Sequence, residues 1–145
     1  MTEPLSILGS VAAAADLITM LCKTIQTVSD LRRQWRDADM TVYAFEVELV
    51  ALKAALQQIA EWMDAAFEDP YHQLVIDLDC CLSCCGMLVQ LVDAELTSLF
   101  GNGSDQLDGA AKLRLLFKSK AISDAQGMIE RQKSALTLLL TACNG

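Results

Sequence analysis

The sequence predicts an all-α protein, and three observations carry that reading. The chain has 7 Gly and 2 Pro among 145 residues, too few for the turns of an all-β fold. Long stretches repeat their apolar residues at alternating spacings of three and four, the period of a packed helix. Nowhere does a short alternating run bounded by turn residues suggest a strand. With 53% apolar and 21% charged residues, the composition excludes a disordered or low-complexity chain, and the length suits one domain over 1–145.

The first helix follows from Ile7, Val11, Ala14, Ile18, Leu21, Ile25 and Val28, spaced as one seam that runs out near Leu31 to Trp35. Val42, Phe45, Leu49, Leu52, Leu56, Ile59, Met63 and Ala66 repeat the rhythm in a second helix. Asp37 or Asp39 can cap its start, and Pro70 closes the segment. A third helix begins at Pro70 and sets Tyr71, Leu74, Leu78, Cys81, Cys85, Leu88, Val92 and Leu99 on one side. Asp79, Ser83, Gly86, Gln90 and Asp93 take the opposite side. Gly101 to Asp105 reads as a loop, because two glycines and Asn102 tolerate positive φ and disfavour a helix. A short helix around Leu107–Phe117 follows, and the last helix carries Ile122, Ala125, Ile129, Leu136, Leu139 and Cys143, with Gln132 as a polar interruption. Long amphipathic helices with short connections predict an antiparallel helical bundle of four long helices plus one short helix.

The net charge of −8 is unevenly placed. Residues 1–36 hold four basic groups against three acidic, residues 37–108 hold Lys53 against fourteen acids, and residues 109–145 hold six basic groups against two acidic. Such a middle repels phosphate, so no nucleic-acid partner is expected, and attraction to an anionic membrane would use the two ends. Glu3 precedes the first apolar run, which has no basic leader and no cleavage site, so a cytoplasmic protein is expected. Four of the six cysteines crowd into Cys80–Cys85, unlike a framework of spaced disulfide pairs, and reduced thiols are expected.

That cysteine cluster also raises the question of a metal. At 100° per residue, Cys80, Cys84, Cys81 and Cys85 fan out at about 0°, 40°, 100° and 140° along one helix side, whereas zinc needs four sulfurs converging on a point. Packing as small hydrophobes explains them better, and Asp77 and Asp79 oppose thiolate formation. His72, the one histidine, has no nucleophile motif beside it. Glu46/Glu48, Glu68/Asp69 and Asp77/Asp79 suit solvated helix faces and ends. Phosphate-loop, zinc-protease and nucleophile-elbow motifs are missing, so neither an enzyme nor a bound cofactor or metal is expected.

The most informative stretch lies between Glu3 and Lys23, nineteen residues with Asp16 as their one charge. That is near the length of about twenty residues that crosses a bilayer. Gly9/Ala13 and Ser6/Ser10/Ala14 are small residues four apart, which allow close helix approach in lipid. Asp16 opposes a lone inserted helix by about 2.5–3.5 kcal/mol. For the resting state the stretch is expected to be a core helix of the bundle, and a helix able to do both jobs is the functional expectation.

Pro4-Leu5-Ser6-Ile7-Leu8-Gly9-Ser10-Val11-Ala12-Ala13, the pair Glu48-Leu49 with Leu52, Asp79-Cys80, and Lys133-Ser134-Ala135-Leu136-Thr137-Leu138-Leu139-Leu140 together resemble the HeLo-like amino-terminal domains of fungal NLR (STAND) proteins. Lys112-Leu113-Arg114-Leu115 matches a lysine-rich stretch of that family, with Leu115 where many members have Trp. The resemblance implies a helical bundle related to the four-helix domain of the mixed-lineage-kinase-like executioner of necroptosis. It further implies a cytoplasmic domain that, on a signal from an upstream NLR or amyloid-motif partner, oligomerises with itself, moves to the plasma membrane and permeabilises it through its first helix. Leu5, Ile7, Leu8, Gly9, Val11, Ile18 and Leu21 would then insert, and Lys23, Arg32, Arg33 and Arg36 would anchor at anionic headgroups. The competing expectation is a non-lytic adaptor or oligomerisation module of a signalling NTPase, acting through exposed apolar positions.

Overall fold

In the computed structural model, residues 7–34, 40–65, 72–101 and 109–144 are described, and they form five helices with no strand among them. These are α1 (Ile7–Arg33), α2 (Met40–Ala65), α3 (His72–Gly101), α4 (Gly109–Lys118) and α5 (Lys120–Asn144). Asp37, Asp39, Ala66, Pro70, Tyr71 and the stretch 102–108 lie outside the described residues.

Helix α1 packs against α2, α3 and α4, while α5 closes on α2, α3 and α4, so the four long helices touch in the cycle α1, α2, α5, α3. One continuous core fills the space between them. In α2 the buried residues are Val42, Phe45, Leu49, Leu52, Leu56, Ile59 and Met63, the seam read from the sequence, joined by Ala55. A helix whose apolar stripe repeats at three and four residues turns one face inward over its whole length, and each buried leucine contributes about 1.5–3 kcal/mol.

Helices α1 and α3 turn differently from the sequence expectation. The buried line of α1 runs Ala14, Leu17, Leu21, Thr24, Val28 and Leu31, with Ile18 and Ile25 half-buried at its flank. Both lines obey the same spacing, and the helix settles on the one that serves two long neighbours at once. Thr24 tolerates burial because its hydroxyl donates to the Met20 carbonyl at 3.0 Å. In α3 the buried residues are Leu78, Leu82, Cys85, Leu88, Val89, Val92 and Leu96, which leaves Cys81 and Leu99 half-buried. Gly86, expected on the far side, meets α1 instead: a methyl group placed there would lie 3.5 Å from Leu17 Cδ2.

The short helix α4 is pinned by Leu113 and Leu116, both buried. Beside them the Phe117 ring meets Phe45 of α2 edge-on, centroids 5.4 Å apart. Ser119 interrupts the chain between α4 and α5, and its Oγ accepts from the Ile122 amide at 3.5 Å. Along α5, Ile122, Ala125, Ile129, Leu136 and Leu140 are buried; Leu140 takes the place expected of Leu139, which is half-buried.

Two substitutions test this packing. Phe45→Ala removes both the aromatic contact and the centre of the α2 seam, and is expected to lower unfolding free energy by about 3–5 kcal/mol in urea titration. Gly127, in α5, has nothing within 4 Å of the methyl position. Gly127→Ala is therefore expected to raise stability by about 0.5–1 kcal/mol in the same measurement.

Candidate functional site

The residues proposed for membrane insertion are split by the structure. Leu5 and Arg36 lie outside the described residues, and Ile7, Leu8, Gly9 and Val11 fall in the opening turns of α1, where side chains are not described. Ile18 is half-buried and Leu21 fully buried, so those two belong to the core in this state. Asp16 faces solvent. Helix α1 thus buries its leucine face against α2 and α3 and turns Ala12, Ala15, Asp16 and Thr19 outward.

Three threonine hydroxyls of α1 are satisfied within the helix itself. Thr19, Thr24 and Thr27 donate to the carbonyls of Ala15, Met20 and Lys23, each at 3.0 Å. Threonine side chains bonded back one turn carry no unmet hydrogen bond into an apolar environment.

At its carboxyl end α1 is tied to α2. Arg32 Nε donates to Glu46 Oε2 at 2.6 Å and its Nη2 approaches Glu46 Oε1 at 3.4 Å. The guanidinium also lies 4.9 Å from the centre of the Tyr43 ring. Bonding to Glu46 raises the already high pKa of Arg32, so the group stays charged. Of the cations proposed for headgroups, Arg32 is therefore committed inside the fold. Lys23 and Arg33 are exposed, with Arg33 Nη1 3.7 Å from Asp30 Oδ1.

The cysteine cluster follows the helical fan. Cys80 is exposed, Cys81 and Cys84 are half-buried and Cys85 is buried. Among the described residues no three or more His, Cys, Asp or Glu side chains group as metal ligands would. Burial, then the neighbouring Cys84 and Cys81, pushes the Cys85 thiol up to about 12, and burial likewise raises Cys81. His72 opens α3, and its side chain lies outside the described residues.

Two features at the contact of α2 with α5 had weaker sequence signals. Glu48 Oε2 and Gln132 Oε1 are buried without a hydrogen-bond partner. Gln132 was visible as a polar break in an apolar seam, while Glu48 looked like half of an outward acidic pair. Burial and then Glu130 raise the Glu48 carboxyl above the ordinary carboxylate range, against an opposing pull from Lys133. Nearby, an open groove of about 670 Å³ runs between Ala51, Ala54 and Ala55 on one side and Lys133, Thr137 and Leu140 on the other.

The α2 surface facing away from the core holds a second apolar line: Met40 (80% exposed), Tyr43, Val47 (65% exposed) and Val50. Within α3, the span Ile76–Leu99 is long and apolar enough to cross a membrane by length and composition, with a third of it buried here. Set against known proteins, the chain matches no family model, no curated protein and no solved structure.

Glu48 binds its proton more tightly in the folded than in the unfolded chain, so stability falls as pH rises through the ordinary value and the raised one. Glu48→Gln is expected to melt with the parent near pH 4 and above it near pH 7, in calorimetry across pH. Thiol labelling gives a second check: Cys22 and Cys80 should react with an aromatic disulfide reagent in the native state, and Cys85 only after unfolding.

Proposed function

We propose that this chain is the membrane-targeting effector domain of a fungal NLR-type cell-death system, an antiparallel bundle of four long helices plus one short in which α1 serves first as core and then as membrane helix. The observation that carries the reading is the internal hydrogen bonding of α1: its three threonine hydroxyls bond back to Ala15, Met20 and Lys23. A helix with its own polar groups satisfied can leave a protein core for lipid at little hydrogen-bonding cost. The sparse charge of residues 4–22 and the family resemblance support the same reading. On activation the domain oligomerises, moves from the cytoplasm to the plasma membrane, and inserts Leu5, Ile7, Leu8, Gly9, Val11, Ile18 and Leu21. Lys23, Arg33 and Arg36 then meet anionic headgroups, joined by Arg32 once its bond to Glu46 opens.

A second reading, a non-lytic adaptor or oligomerisation module, draws on the exposed line Met40, Tyr43, Val47 and Val50. Its spacing of three, four and three suits another helix.

Dye release from vesicles containing phosphatidylserine separates the two. The intact chain is expected to release dye, and Leu8→Glu to abolish release while retaining parental helicity and melting temperature. No release by the intact chain, even when fused to a domain that forces oligomerisation, would overturn the effector reading in favour of the adaptor.

A further inference from the structure

Between Gly109 and Ser123 the sequence holds Lys112, Arg114, Lys118 and Lys120 and no acidic residue, while the rest of the chain holds seven basic groups and nineteen acids. This basic segment is seated on the core. Leu113 and Leu116 are buried beneath α4, and Phe117 leans on Phe45. The opposite side of α4 turns Arg114, Leu115 and Lys118 to solvent, and Lys120 follows beyond Ser119. Residues three and four apart share a helix face, so Arg114, Leu115 and Lys118 lie side by side. Leu115 is 48% exposed in the midst of these cations, and neither Lys118 nor Lys120 has an acidic partner among the described residues.

We propose that Arg114, Leu115, Lys118 and Lys120 form a docking face for an anionic phospholipid surface, distinct from the cations that flank α1. The proposal rests on the membrane reading above and names a different part of the molecule as the first point of contact. Charge complementarity selects the occupant. A chain of net charge −8 repels a long polyanion that extends beyond this face, whereas a membrane touches only the face presented to it. The lysine stems lie along the interface with their ammonium groups at the phosphates, and Leu115 enters the acyl boundary between them.

Co-sedimentation with phosphatidylcholine vesicles, with and without phosphatidylserine, tests this. The chain should bind the phosphatidylserine vesicles alone, and less as salt is raised. Each lysine at such a surface changes partitioning about five-fold, so Lys118→Gln with Lys120→Gln should weaken binding about 25-fold. Leu115→Asn should weaken it independently of salt, and Lys118→Arg with Lys120→Arg should retain it. The pair Lys53→Gln with Arg131→Gln, which removes the same charge from α2 and α5, supplies the control, with all melting temperatures compared to the parent.

Parental binding by the Lys118/Lys120 glutamine pair, or an equal loss in the Lys53/Arg131 pair, would overturn the assignment of this face. So would failure of the chain to bind either vesicle, or binding of duplex RNA through the same lysines without vesicle binding. Binding without dye release would leave the docking face standing and remove the permeabilising role. Undiminished binding and release by the glutamine pair would do the reverse.

Discussion

Helix α1 lies against both α2 and α3, and the burial of Leu17, Leu21, Val28 and Leu31 along that contact is the constraint on which the rest of the molecule depends. Remove it and two long helices lose a shared partner, α4 loses part of its seat, and the seam of α2 opens to water along one edge. The Arg32 to Glu46 bond secures the carboxyl end of this contact, with the Tyr43 ring beside it. It is partly exposed, so its contribution is small beside the leucines and its value lies in setting the register of α1 on α2.

The same helix carries two chemistries on one scaffold. Its inner face is leucine-rich and core-forming; its outer face near the amino end is alanine-rich, with Asp16 as the single charge before Lys23. Between Ala12 and Lys23, Asp16 is the side chain that demands water, since the Thr19 hydroxyl answers its own helix. Among the described residues the polar mismatch sits elsewhere, at Glu48 of α2 beside α5 and at Gln132 of α5, whose oxygens are unmet. A buried acceptor without a donor weakens a contact by about 1–3 kcal/mol, which makes that contact the softer side of the cycle of helices.

Helix content and the whole inward face of α2 were legible in the sequence because seven large apolar residues there admit a single line. Helix α1 admitted two lines, through Ile18 and Ile25 or through Leu17 and Thr24. Periodicity cannot choose between them, since the choice depends on which neighbours the helix must serve. Helix α3 carries exposed Ile76, Met87 and Leu91 as well as its buried line, so spacing constrains its rotation weakly, and Gly86, expected on the far side, lets α1 approach. The pairing of Arg32 with Glu46 spans fourteen residues across a connection, and no local pattern announces it. The proposed membrane function rests on the composition of residues 4–22 and on resemblance, and the fold adds the internal hydrogen bonds of the α1 threonines to that case.

The seat of α4 has a consequence for how the parts communicate. Helix α4 touches α1 directly and leans on α2 through the Phe45 and Phe117 rings. Its position is therefore a function of whether α1 is home. Two sites joined by one equilibrium are coupled in both directions: a ligand that grips α4 more tightly with α1 displaced will draw α1 out, and one that grips it more tightly with α1 in place will hold it in. The sign of that difference in affinity, rather than its size, decides whether contact at α4 acts as a trigger or as a safety catch.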